Sequence, residues 1–275
     1  MSRRGAGWLS CHQVDSFTAR PFAGNPAAIC PLDVWIPDGV MQAVAAENNV
    51  AETSFFVRRP DGDFDLRWFT PTVEVDLCGH ATLAAGFFVL EELEPGRTRV
   101  RFHTRSGPLD VERDAGGLAM YLPARPPGPG RPTDLDQLAA AFGRRPIAAL
   151  RARDLVAVFD RAEEVRGFSP DIAAIAAIDA FAVCVTAPGG GPDDSDVDFV
   201  SRFFAPAQGL PEDPVTGSAH STLVPYWSER LGRRELRARQ VSRRSGDLLC
   251  EWRGDIVRVV GQAVLVKTGS IFIGV

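Results

Sequence analysis

Two segments of this 275-residue chain set a glycine ahead of an apolar run, with polar side chains on either side of it. One is Cys78-Gly79-His80-Ala81-Thr82-Leu83; the other is Thr216-Gly217-Ser218-Ala219, leading to Ser221-Thr222-Leu223. A helix start exposes unpaired backbone N–H groups and carries roughly half a positive charge. Glycine lets a ligand come close to the backbone there. Two such starts facing one cleft would clamp a carboxylate or a similar anion. His80 and Ser218 occupy matching positions. At a positive helix end the imidazole of His80 is expected to stay neutral, a state suited to proton shuttling. Asp213 precedes the second start in Glu212-Asp213-Pro214, as a further acid or as a turn and capping residue.

Glu52 is the sharper candidate. It sits in Val50-Ala51-Glu52-Thr53-Ser54-Phe55-Phe56-Val57, a strand-like segment with few other polar groups. Apolar surroundings disfavour carboxylate ionisation and so suit a carboxyl to proton transfer. An outward-facing glutamate on an edge strand would have no such role. Glu47 is a nearby rival, but it falls in the last turn of a helix and reads as surface. Cys78 invites a thiol–base reading, because a helix start can depress a thiol pKa. Its counterpart is Thr216, so a two-cysteine proton relay lacks its partner.

These residues need elements to hold them. Leu9 to Phe17 reads as a strand, Gly24-Asn25-Pro26 as a turn, and Ala27 to Cys30 as a second strand. Pro37-Asp38 opens a helix to about Glu47, closed by Asn48-Asn49. Strands follow from Val50 to Arg58 and from Phe64 to Thr70. Ala81 to Leu93 is apolar on nearly every face, the mark of a buried helix wrapped by strands. Arg99 to Phe102 and Leu109 to Glu112 read as strands. Gly116-Gly117 and the Pro/Gly-rich run from Pro123 to Pro132 read as a boundary. Asp134 to Phe142 reads as a helix. Leu155 to Phe159, Phe181 to Thr186 and Phe199 to Phe204 read as strands, and several short strands finish the chain. Gly189 to Asp198 reads as an exposed loop.

The pattern repeats internally. Arg67-Trp68-Phe69-Thr70-Pro71 resembles Arg202-Phe203-Phe204-Ala205-Pro206; each leads through an acidic stretch to a glycine-led helix, with a slightly longer connector in the second copy. The expectation is an α+β fold of two pseudo-symmetric lobes, each a mixed sheet or barrel around a central helix. The first lobe would span 1–118, joined by a terminal strand at about 265–275, and the second 119–264.

Composition narrows the function. A net charge of -5 leaves no basic footprint for nucleic acid. Five cysteines, an odd count with no CxxC pair, argue against a zinc site and a disulfide framework. They read as buried fillers in a reducing compartment. No apolar run reaches transmembrane length and no apolar segment follows Met1-Ser2-Arg3-Arg4-Gly5, so a cytoplasmic protein without membrane partners is expected.

The ordered set of motifs resembles the PhzF-like phenazine-biosynthesis family, within the diaminopimelate epimerase-like fold. It runs from Val14-Asp15-Ser16-Phe17 and Gly24-Asn25-Pro26-Ala27 through Ala51 to Val57, Phe69-Thr70-Pro71 and Cys78 to Ala84, to Glu212 through Ala219. The resemblance implies two mixed-strand lobes with a cleft between them. It further implies a general acid–base isomerase using neither metal nor organic cofactor, and often a homodimer. The family's catalytic glutamate matches Glu52, and its helper positions match His80, Asp213 and Ser218. Backbone groups near Gly79 and Gly217, with Asn25, Cys78 and Thr216 close by, would orient a small carboxylate substrate. The competing readings are an amino-acid epimerase or racemase and a catalytically silent anion-binding protein.

Overall fold

The computed structural model describes residues 7–274, so the Met1 to Gly5 start lies outside the described residues. Contacts divide the chain into two compact units. The first runs to Tyr121 and resumes at Val260; the second is Leu122–Val259.

The first unit opens with β1 (Trp8–Ser16), β2 (Asn25–Leu32), α1 (Asp38–Asn48), β3 (Glu52–Arg58), β4 (Phe64–Phe69) and β5 (Glu74–Val75). Next come α2 (Gly79–Phe87), β6 (Arg99–Thr104), β7 (Gly107–Asp114) and β8 (Gly117–Pro123). Asn49 closes α1 in the left-handed conformation (φ 48°), and β3 therefore begins only at Glu52. The helix expected over Ala81 to Leu93 starts earlier, because Cys78 is the last extended residue (φ -142°) and its carbonyl accepts from the Thr82 N–H. From Phe88 to Leu93 it widens into a π-helical turn. Gly116-Gly117 is a hairpin turn: Leu118, Met120 and Leu122 are buried, and the strand pairs antiparallel with β7.

The second unit contains β9 (Gly128–Pro129), α3 (Asp134–Phe142), β10 (Ala148–Arg151), β11 (Leu155–Val158), α4 (Ala162–Gly167) and α5 (Ile172–Ala176). It continues with β12 (Val183–Pro188), β13 (Phe199–Ala205), β14 (Leu210–Asp213), α6 (His220–Leu231), β15 (Glu235–Gln240), β16 (Gly246–Arg253) and β17 (Ile256–Gly261). The last strand, β18 (Ala263–Phe272), returns to the first unit and pairs antiparallel with β1. The loop after β12 is not wholly exposed. Asp194 within it is buried and accepts from the Arg166 guanidinium at 2.6 Å, because an internal ion pair ties the loop to α4.

The two units share one pairing scheme. In the first, β1–β2 is antiparallel, β2–β3 parallel, β3–β4 antiparallel, β4–β6 parallel and β6–β7 antiparallel. In the second, β10–β11, β11–β12, β12–β13, β13–β15 and β15–β16 run antiparallel, parallel, antiparallel, parallel and antiparallel. Side chains repeat as well. Arg67 forks onto Glu74 at 2.7 and 2.8 Å and lies 5.2 Å over the Phe69 ring. Arg202 forks onto Glu212 at 2.7 and 3.0 Å and lies 5.0 Å over the Phe204 ring. A bidentate guanidinium–carboxylate pair has a fixed geometry, so in each copy it sets the acidic connector against the strand that precedes the glycine-led start.

In the first unit α2 packs on β1, β2, β3, β7 and β18. Its residues Gly79 to Gly86 are all buried, as an all-apolar helix requires. Among the described residues no helix is long and apolar enough to cross a membrane.

Candidate active site

Three of the expected residues converge in the first unit. Glu52 is the first residue of β3, paired in parallel with Ala27 of β2, so its strand is internal and not an edge. Its Oε2 lies 3.1 Å from Nε2 of His80, the second residue of α2. The other imidazole nitrogen, Nδ1, faces the Cys78 Sγ at 3.5 Å. The imidazole thus sits between a carboxylate and a thiol. The three ligand atoms lie within 4.8 Å of one another, a spacing that suits a cation. However, thiol and carboxylate address different ring nitrogens, and no single metal position uses both without turning the ring.

The first turn of α2 is held by hydroxyls from the sheet. Ser16 donates to the His80 carbonyl at 2.9 Å, and Ser54 donates to the Ala81 carbonyl at 3.2 Å. Thr53, next to Glu52, accepts from the Asn48 amide at 3.2 Å. Asn25 is fully buried at the head of β2. The preceding Gly24 has φ +62°, and a Cβ there would lie 2.1 Å from the Ser16 carbonyl oxygen. Only glycine brings that turn so close to β1. Glu47, the rival carboxylate, is exposed on α1.

The electrostatics depart from the sequence expectation at two points. Burial alone pulls the His80 imidazolium down, but Cys78 and the Glu52 carboxylate outweigh it and hold the group well above the usual histidine value. A carboxylate at contact distance overrides the helix end that was expected to keep the ring neutral. Burial pushes the Cys78 thiol up to about 11, and the neighbouring Glu52 charge adds to this. The expected depressed thiol is absent because the helix start lies inside the unit, out of solvent. Alkylation of Cys78 by iodoacetamide at neutral pH is expected to run roughly 10²-fold slower than that of a free thiol. Peptide mass spectrometry against a glutathione standard measures this, and equal rates would refute it.

Among the described residues, neither Glu52 Oε2 nor His80 Nε2 has a hydrogen-bond partner beyond this ion-pair contact, although both atoms are buried. Buried polar atoms are rarely left in this state. Two adjoining ones make an arrangement able to take up and release a proton from something bound beside them.

The second unit builds a different cluster on the equivalent turn. Asp213, at the end of β14, is buried and accepts a short hydrogen bond from the Thr216 hydroxyl. Gln240 of β15 clamps the turn: its Oε1 accepts from the Thr216 N–H at 2.8 Å and its Nε2 donates to the Asp213 carbonyl at 2.6 Å. Gly217 and Ser218 then lead through one 3₁₀ turn into α6. Burial pushes His220 down to about 4, so its neutral ring can donate from Nδ1 to the Thr216 carbonyl at 2.9 Å. Ser218 accepts from the Arg153 guanidinium at 3.3 Å, which also lies 4.8 Å over the Phe181 ring. Gln240, His220 and Arg153 were not foreseen. Gln240 and Arg153 belong to segments with no motif, and Arg153 is one of 30 basic residues; His220 sits inside the second glycine-led segment, but at a position with no histidine in the first copy.

The shared registers make the asymmetry explicit. Thr53 faces Phe69 and Val183 faces Phe204, so the repeat counterpart of Glu52 is Ala182. With the Arg67–Glu74 and Arg202–Glu212 pairs aligned, the counterpart of Asp213 is Val75. Each unit carries one carboxylate of its own kind, at a position where the other has an apolar residue.

A repeated mixed sheet around a buried helix, with an imidazole on the helix's glycine-led start and a carboxylate on the strand beside it, is an α+β arrangement of the epimerase-like fold. More narrowly, the chain belongs to the PhzC/PhzF family of phenazine biosynthesis-like proteins, whose model matches residues 14–269. An uncharacterized isomerase of Pseudomonas aeruginosa is 46% identical over 96% of this chain and 98% of its own length. A PhzF-family crystal structure from Enterococcus faecalis is 40% identical, covers 96% of this chain and 99% of its own, and superposes with a TM-score of 0.91. A hydroxyproline epimerase from Agrobacterium vitis shares the fold alone, at 10% identity and a TM-score of 0.62 over 98% of this chain and 94% of its own. The chain is an isomerase of the PhzC/PhzF family.

Proposed function

We propose that this isomerase shifts a proton within a small carboxylate-bearing metabolite by general acid–base catalysis, with Glu52 as the base and without a cofactor. The observation that carries the reading is the Glu52–His80 pair, whose facing, buried Oε2 and Nε2 have no other partner among the described residues. Glu52 takes a proton from a carbon next to a carbonyl or a double bond and returns it elsewhere on the same molecule. Charged His80 holds the carboxylate in place and supplies a proton where negative charge develops. Asp213 and Ser218 are the helper groups of the second unit. The backbone N–H groups at Gly79 and Gly217, with Asn25, Cys78 and Thr216, orient the substrate. A homodimer in a reducing cytoplasm completes the proposal.

The racemase reading needs a second acid–base group equivalent to the first. Ala182 stands at the repeat position of Glu52 and Thr216 at that of Cys78, and neither residue exchanges protons with carbon. The silent-binder reading predicts binding without exchange. Turnover of a small carboxylic acid substrate in D2O separates the readings. The proposal expects deuterium at one carbon of the product, with the double bond shifted and the carbon skeleton unchanged. Inversion at an otherwise unchanged carbon would favour the racemase, and binding with no label at all would favour the silent protein.

A further inference from the structure

One pair of thiols lies outside the proposed chemistry. Cys11 lies on β1 and Cys30 on β2, and the antiparallel register pairs His12 with Ile29. Continuing that register one step sets Cys11 opposite Cys30, and the two thiols are hydrogen-bonded to each other within one cluster. Opposed residues on neighbouring antiparallel strands have Cα atoms roughly 4.5 or 5.5 Å apart, inside the span of about 4.4–6.8 Å that a disulfide bridges. Both side chains lie under α1, in the cluster formed with Met41, Val44 and Phe55. The two thiols differ. Cys30 is wholly enclosed, and burial raises it well above an ordinary thiol. Cys11 retains 7% exposure and donates to the Asn48 side-chain carbonyl at 3.4 Å. The hydrogen bond from Cys30 lowers Cys11 to about 7, against the cost of burial and helped by the Lys267 charge.

We propose that Cys11 and Cys30 form a redox modification site that closes to a cross-strand disulfide on exposure to a peroxide. The Cys11 thiolate attacks the peroxide O–O bond and becomes a sulfenic acid, and the departing oxygen leaves as water after taking a proton. The Cys30 sulfur then attacks the sulfenic sulfur. The S–S bond forms, the S–O bond breaks, and the hydroxyl leaves as a second water with the Cys30 proton. Two thiols are oxidised to one disulfide and one hydrogen peroxide is reduced to two waters. Thiols oxidise according to their thiolate character and exposure, which makes Cys11 the attacking group and Cys30 the resolving one. Burial holds Cys184 and Cys250 well above an ordinary thiol, so neither competes. In a reducing compartment such a bond would be transient, as befits a sensor. Its closure also removes the thiol donor to Asn48, whose amide holds Thr53 beside Glu52. The site itself does not depend on the isomerase reading.

The test is treatment of the folded full-length protein with hydrogen peroxide, followed by thiol titration and non-reducing peptide mass spectrometry. The expected result is loss of two of the five thiols, a Cys11–Cys30 linked peptide pair, and full recovery with dithiothreitol. In Cys30→Ser, Cys11 is expected to accumulate as a sulfenic acid trapped by dimedone; in Cys11→Ser, Cys30 is expected to stay reduced. A wild-type protein whose first oxidised product is an unlinked Cys11, or a linkage involving any other cysteine, would overturn the proposal. So would a Cys11→Ser protein in which Cys30 oxidises at the wild-type rate.

Discussion

Glu52→Gln is expected to lower turnover by about 10²–10⁴-fold, the usual contribution of a positioned acid–base group. The substitution keeps the shape of the side chain and removes only its capacity to accept and return a proton. The fold should survive, since among the described residues the carboxylate makes a single ion-pair contact, with His80 Nε2 at 3.1 Å. A second readout distinguishes loss of the base from loss of structure. Without the Glu52 charge, burial acts on His80 with less opposition, so the imidazole should titrate lower than in the parent protein. Histidine NMR follows that shift directly, while deuterium incorporation into product follows the chemistry. Near-wild-type incorporation by the glutamine variant would remove Glu52 from the mechanism. A His80 that titrates unchanged would show that the pair does not exist in solution.

Trp227→Ala is expected to cost about 3–5 kcal/mol of stability, the range for deleting a buried aromatic side chain. Trp227 is fully buried on α6. Its ring stacks on Phe199 with centroids 5.7 Å apart and planes at 9°. Its indole N–H donates to the Thr186 hydroxyl at 3.0 Å. It therefore ties the helix that carries the second glycine-led start to β12 and β13 together. Trp227→Phe keeps most of the packing and loses the hydrogen bond, so it should cost much less, about 1 kcal/mol from that bond plus a small cavity. Urea unfolding of the two variants beside the parent measures both effects. An alanine variant with the parental midpoint would mean that α6 is anchored by other contacts.

Much of this arrangement was legible in the sequence because it is local. The α1 boundaries follow from Pro37-Asp38 and the left-handed Asn49, and α3 was read at its observed limits. The internal repeat was visible as Arg67 to Pro71 against Arg202 to Pro206, since both copies need the same arginine fork and ring contact. Strands whose own residues carry a weak pattern were missed: β8, because the Gly116-Gly117 hairpin turn that joins it to β7 read as a boundary, and the short β10, which is a strand because β9 and β11 lie beside it. The buried Asp194 was likewise hidden inside a stretch whose composition reads as loop.

The division at the site follows the same physics. Sequence alone determined the α+β repeat, the glycine-led starts and the candidates Glu52, His80, Asp213 and Ser218, because periodicity, turn residues and capping signals act over a few positions. Only the tertiary structure decided what those groups are to one another. It set His80 against Glu52 and Cys78, reversing the expected neutral imidazole and depressed thiol, and it supplied Gln240 and His220 to hold the second turn. It also placed Ala182 where a second glutamate would stand. Charge state depends on distance and burial, and both are set by which strands lie side by side. No short stretch of sequence contains that information.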